Sequence, residues 1–148
     1  MADRSVQRVA LLAIHPEHAT AILEGRKSVE FRKRKLAPEI QFVLLYATAP
    51  TQRVVGYFQV QDLDEDTPTA VWKRHGGHGA IPRRLFREYY AGSRTAVAIL
   101  VKKATSLAEP LTLHEIHDGV TAPQSFTYLP VETMRVFSTD AGNPTFMT

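Results

Sequence analysis

The chain has no cysteine, which excludes disulfides, thiolate zinc sites and thiol nucleophiles and agrees with a reducing compartment. Long hydrophobic runs are also missing. Nothing approaches the roughly 20 apolar residues needed to span a bilayer, and His15 and Pro16 cut the run at 9–14 before it can form a signal-peptide core. Internal repeats and low-complexity segments are absent. No strand pattern is followed by a glycine-rich phosphate loop and helix, which argues against a doubly wound nucleotide fold. A soluble, cytoplasmic protein without cofactor is expected. The 148 residues, 44% of them hydrophobic, fit one domain at 9–137 between short tails at 1–8 and 138–148.

What the chain has in abundance is positive charge in one place. Residues 26–35 carry six cations and one acid, a net of +5, against +3 for the whole chain, so the remainder carries −2. A localised cationic surface suits phosphate. Within it, Val29 and Phe31 alternate with Ser28, Glu30 and Arg32, the pattern of a strand with one face toward a core. Glu30, alone among cations, is placed to orient Arg32 or Lys27, or to accept from an exocyclic amine of a base.

Elsewhere, residues 9–15 read as a buried strand, and Pro16 opens a helix that Gly25 closes. Residues 41–50 and 53–63 read as neighbouring strands joined by a turn. The acidic stretch 62–66 leads to a helix capped by Thr67 and running through Trp72 and Arg74. HGGHG at 75–79 reads as a flexible loop. Pro82 begins another helix, ended by Gly92, and residues 95–102 form the clearest late strand. Weaker strands are expected at 111–116 and 133–137. The sum is an α+β fold: a small mixed β-barrel or strongly curved sheet with two or three short helices packed at its ends.

The segment HPEHATAILEGRKSVEFRKR, with its G-x-K-x-x-E-x-R core at Gly25, Lys27, Glu30 and Arg32, resembles the signature of ASCH domains. These are PUA-like β-barrels related to YTH and EVE readers of modified bases. LLYATAP, the strand at 54–58, FREYYAG and PQSFTYL follow in the family's order, and the likeness covers most of 9–130. It implies RNA association through a pocket between the barrel and the first helix. Some family members are amidohydrolases of acetylated cytidine, resembling G-x-K-x-x-T-x-R, and others are ribonucleases. This chain keeps Gly25, Lys27 and Arg32 and has Glu30 in the threonine position.

Single-stranded RNA, or a modified or flipped base, is therefore the expected partner. Lys27, Arg32, Lys33 and Arg34 would hold phosphates, Glu30 would contact the base or fix Arg32, and Trp72 and Phe126 would flank the ring. Gln124 and Ser125 would read a base edge. If the chain is instead a small hydrolase, Lys27 and Glu30 are the catalytic candidates, with Glu30 as general base. Ser28 reads as an ordinary strand serine. His75 and His78, with His114 or His117, have permissive spacing for a metal, but none is expected without cysteine. Arg83, Arg84 and Arg87 read as the wet face of a helix, with an extended phosphate track as the alternative.

Overall fold

A computed structural model describes residues 7–137. The two expected tails lie outside these residues, apart from Gln7 and Arg8. Six strands form one mixed sheet: β1 (Arg8–Ile14), β2 (Val29–Arg32), β3 (Phe42–Ala47), β4 (Arg53–Asp66), β5 (Ala96–Leu111) and β6 (Phe126–Pro130). Their order is β2-β5-β4-β3-β1-β6. The β1–β3 pair is parallel and the other pairs are antiparallel. Four helices complete the fold: α1 (Pro16–Leu23), α2 (Pro68–His75), α3 (Arg83–Tyr89) and α4 (Leu113–Ile116). No helix among the described residues is long and apolar enough to cross a membrane.

β1 is apolar from Val9 to Ile14 because both its faces are covered there. Ala10, Leu12 and Ile14 join a cluster with Ile22, Leu45, Phe58 and Ile99. Val9, Leu11 and Ala13 join another with Leu44, Tyr57, Ile116 and Phe137. A third, smaller cluster holds Phe31, Val71, Phe86 and Tyr90. β3 and β4 are neighbours, as their patterns suggest, with Leu44 opposite Tyr57.

Pro16 occupies the first turn of α1 and Glu17 follows it. The helix ends in a Schellman motif: Gly25 takes φ +83°, its N–H donates to the Ile22 carbonyl at 3.1 Å, and that of Arg26 donates to Ala21 at 2.9 Å. This sharp stop leaves Lys27 in the exit of α1, two residues ahead of β2. At α2, the Thr67 hydroxyl accepts from the Ala70 N–H, the expected cap.

Four expectations require correction. The strand expected at 53–63 runs on through the acidic residues to Asp66, held by pairing with β5, with Asp62 opposite Leu100 and Asp66 opposite Ala96. Residues 111–116 are not a strand: β5 ends at Leu111, and Thr112 and Glu115 form a reciprocal capping box that starts α4. Residues 133–137 belong to a 3₁₀ helix at Val131–Phe137 that buries Met134 and Phe137. The HGGHG loop is one 3₁₀ turn, Gly76–His78, fixed by a hydrogen bond from the Ser28 N–H to the His78 carbonyl and by close packing of Gly79 on Phe31.

Register shifts interrupt β4 between Val54 and Gly56 and between Gln59 and Asp62, and the sheet does not close into the expected barrel. β2 and β6 are its edges. Side chains bridge the gap instead: Arg32 donates to the Ala13 carbonyl at 2.9 Å and to Ser125 Oγ at 3.3 Å, and Arg34 donates to the Phe126 carbonyl at 3.3 Å.

Candidate functional site

The bridged seam floors a cavity of about 420 Å³ between the end of β1, the start of α1, β2 and α3. Lys27, Glu30 and Arg32 line it, with Phe31, Ile81 and Leu85 as apolar wall and His15, His18, Tyr89, Pro123 and Gln124 around them.

Each of the three charged groups is held by the fold. Glu30 is 6% exposed and Lys27 only 2%. One carboxylate oxygen of Glu30 faces Lys27 Nζ at 3.2 Å, and the other accepts from Arg32 Nε and lies 2.9 Å from its Nη2. Lys27 also donates to the carbonyl of Gly79. Burial pushes the Lys27 ammonium below its ordinary value, and the Glu30 charge and hydrogen bond partly restore it. Charges this deep are tolerated when paired and hydrogen-bonded. Two cations against one anion leave the ionised floor with a net positive charge, suited to an anionic ligand. Glu30 fixes Arg32 with one oxygen and Lys27 with the other, so both its oxygens are engaged.

The rim carries groups that titrate. Burial, and then the Lys27 charge, lowers the His18 pKa, so its imidazole is neutral near pH 7 and can accept a proton. Burial raises the Tyr89 phenol. Lys33 Nζ stands 4.8 Å from the centre of the Tyr89 ring.

The structure thus brings Lys27, Glu30, Arg32 and Gln124 to one cavity, with Ser125 bonded to Arg32 just behind. Lys33 and Arg34 are exposed beside it. Phe126 lies elsewhere: it is 5% exposed in the main core, with the Arg34 guanidinium 4.2 Å from its ring centre. Trp72 packs against Phe86 with ring centres 4.9 Å apart and supports the third cluster, not the cavity. Ser28 is exposed. Arg83, Arg84 and Arg87 are exposed on α3, and Arg84 pairs with Glu88 at 2.9 Å. His75 binds Asp64 at 2.7 Å and His114 faces Asp118 at 2.9 Å; among the described residues no three potential ligands converge on a metal site.

His15, His18, Leu85 and Tyr89 escaped the sequence reading because each reaches the cavity from an element selected for other reasons. A usable signal was present at His15, where β1 stops at a His-Pro step that opens α1, since strand ends beside helix starts are common places for sites.

An ASCH domain family model matches residues 12–110. An ASCH domain-containing ribonuclease of Zymomonas mobilis is 30% identical over 136 residues, covering 89% of this chain and 91% of that protein. The large ribosomal subunit protein uL22 of Ureaplasma parvum is 28% identical over 128 residues, 86% of this chain but 41% of that protein. The crystal structure of ASCH from Zymomonas mobilis superposes with a TM-score of 0.82 at 29% identity, covering 94% of this chain and 98% of that one. With the family model spanning most of the sheet and the likeness extending over nearly the whole described chain, this protein belongs to the ASCH domain family.

Proposed function

We propose that this protein binds single-stranded RNA and takes a base, modified or unmodified, together with its phosphate into the cavity above Lys27, Glu30 and Arg32. The observation that carries this reading is the buried, net-positive floor under a half-apolar wall. Such a site offers an anion its charge and a ring its van der Waals surface. Lys33, over the Tyr89 ring that lines the cavity, and the exposed Arg34 next to it in sequence extend the attraction to neighbouring phosphates. Arg32 and Arg34 bridge the open edge between β2 and β6 with side chains, which supports placing the ligand across that edge. The test is retention of single-stranded RNA as salt rises. Lys33→Ala and Arg34→Ala should each reduce the slope of log K against log salt by about one unit. A salt-independent interaction would sink the proposal.

A second reading, RNA hydrolysis in the same cavity, is favoured by His18 and by the name of the 30%-identical relative, a ribonuclease. Neutral His18 would take the proton of the attacking hydroxyl while Arg32 and Lys27 hold charge on the phosphate. Glu30 then serves as the anchor of both cations. His18→Ala should abolish product formation from a single-stranded RNA oligonucleotide while lowering its retention far less. Retention by the wild type with no product from about pH 5 to pH 9 rejects hydrolysis and leaves binding standing.

A further inference from the structure

A second cavity, also of about 420 Å³, adjoins the first and shares His18, Ile81 and Leu85 with it. Thr20 and Arg26 line its far side, and Pro82 closes it from α3. We infer that the site holds two consecutive nucleotides of single-stranded RNA, one in each cavity, with the phosphodiester between them crossing the ridge made by His18 and Leu85. This inference rests on the RNA reading above and adds the span of the ligand.

Size is the first argument. Each cavity is near the small end of the roughly 300 to 1,000 Å³ that ligand sites occupy, so each suits one nucleotide-sized fragment and neither suits a longer stretch alone. Exposure is the second. Leu85 and Tyr89 are the exposed large hydrophobics among the described residues, at 44% and 41%. Leu85 stands between the two cavities, where a base on either side would cover it, and Tyr89 lines the first. Charge is the third. Arg26 faces the second cavity and is held by Glu24 at 2.7 Å, both side chains being more than half exposed. An exposed pair of that kind is weak and readily exchanged for a phosphate. Glu17, also at this cavity, disfavours an acidic ligand group close to the start of α1, so the phosphate in this cavity belongs on the Arg26 side.

The test compares a nucleoside 5′-monophosphate with the di- and trinucleotide of the same base, bound to the whole protein and followed by calorimetry. The dinucleotide should bind about tenfold tighter than the mononucleotide or better, since an added stacked base is worth that much, and the trinucleotide should gain less than about threefold more. Thr20→Trp fills the second cavity from an exposed helix position that does not line the first. It should bring the dinucleotide down to the mononucleotide affinity and leave the mononucleotide unchanged, with a wild-type thermal melt showing that the variant folds. Equal wild-type affinity for mono- and dinucleotide overturns the two-nucleotide site while the RNA reading stands. Equal weakening of both probes in Thr20→Trp also overturns it. Failure of every probe to bind contradicts the RNA reading, and this inference with it.

Discussion

At the scale of single residues, the site turns on Glu30. Its carboxylate is the one negative charge between two buried or nearly buried cations, so removing it leaves Lys27 and Arg32 to repel each other in a poorly solvated place. Glu30→Ala should therefore lower stability by about 3 to 5 kcal/mol, the range for unpairing a buried ion pair. Urea unfolding checks this, and a loss under about 1 kcal/mol would mean that the trio is solvated after all. His18 makes a second residue-scale prediction. Its folded pKa lies below the unfolded 6.5, so between the two values the unfolded chain binds more protons and stability rises with pH. The group's contribution is intact above about pH 6.5 and is lost as pH falls through the folded value. Unfolding of wild type and His18→Asn at about pH 8 and about pH 5 should show the larger loss in the wild type; equal losses contradict it.

Lys27, Glu30 and Arg32 were legible in the sequence because strand alternation places Glu30 and Arg32 on one face and the spacing of the signature adds Lys27. Alternation alone would have put Lys27 on the other face. It joins them because β2 begins only at Val29, leaving residue 27 in the Schellman exit of α1, outside the pleat. Trp72 and Phe126 show the opposite case, since an aromatic beside a polar loop looks the same in sequence whether it walls a pocket or fills a core.

At the scale of elements, the turn after α2 does more than connect. A Cβ on Gly79 would sit 2.2 Å from Phe31 Cε2 and 2.9 Å from Cζ, so only glycine lets this backbone lie on the Phe31 ring and present its carbonyl to Lys27. Gly79→Ala should cost about 1 to 3 kcal/mol by overpacking and also weaken RNA retention, because the displaced turn carries the Lys27 acceptor away. Thermal melting and retention read the two effects, and an unchanged melt would show that the turn yields without consequence. The glycines and histidines of 75–79 read as mobile because glycine signals freedom in a sequence; here it serves close approach. Strand ends were the least legible part. The acidic residues of β4 look like loop, yet pairing with β5 satisfies their backbone, and the apolar residues at 113–116 follow a cap signal, Thr112 with Glu115, that the strand reading passed over. α1 and the core of β4 were legible from their periods, and β1 and β3 from apolar runs too short for a helix and bounded by proline.

At the scale of the whole molecule, the protein concentrates its positive charge where its sheet fails to close. The seam between β2 and β6 is joined by Arg32 and Arg34, and Arg32 is at once a structural bridge and part of the cavity lining. Binding and folding are thereby coupled: an anionic ligand that occupies the cavity should raise the melting temperature, since it binds only where the seam is assembled. The most direct measurement is the affinity for single-stranded RNA of the wild type and of Leu85→Trp, whose indole fills the cavity mouth from an exposed position while leaving every cation in place. The account predicts salt-sensitive binding by the wild type and a loss of about tenfold or more in the variant. Equal affinity of the two proteins would contradict it, because the RNA would then be held by surface charge and the cavity would take no part.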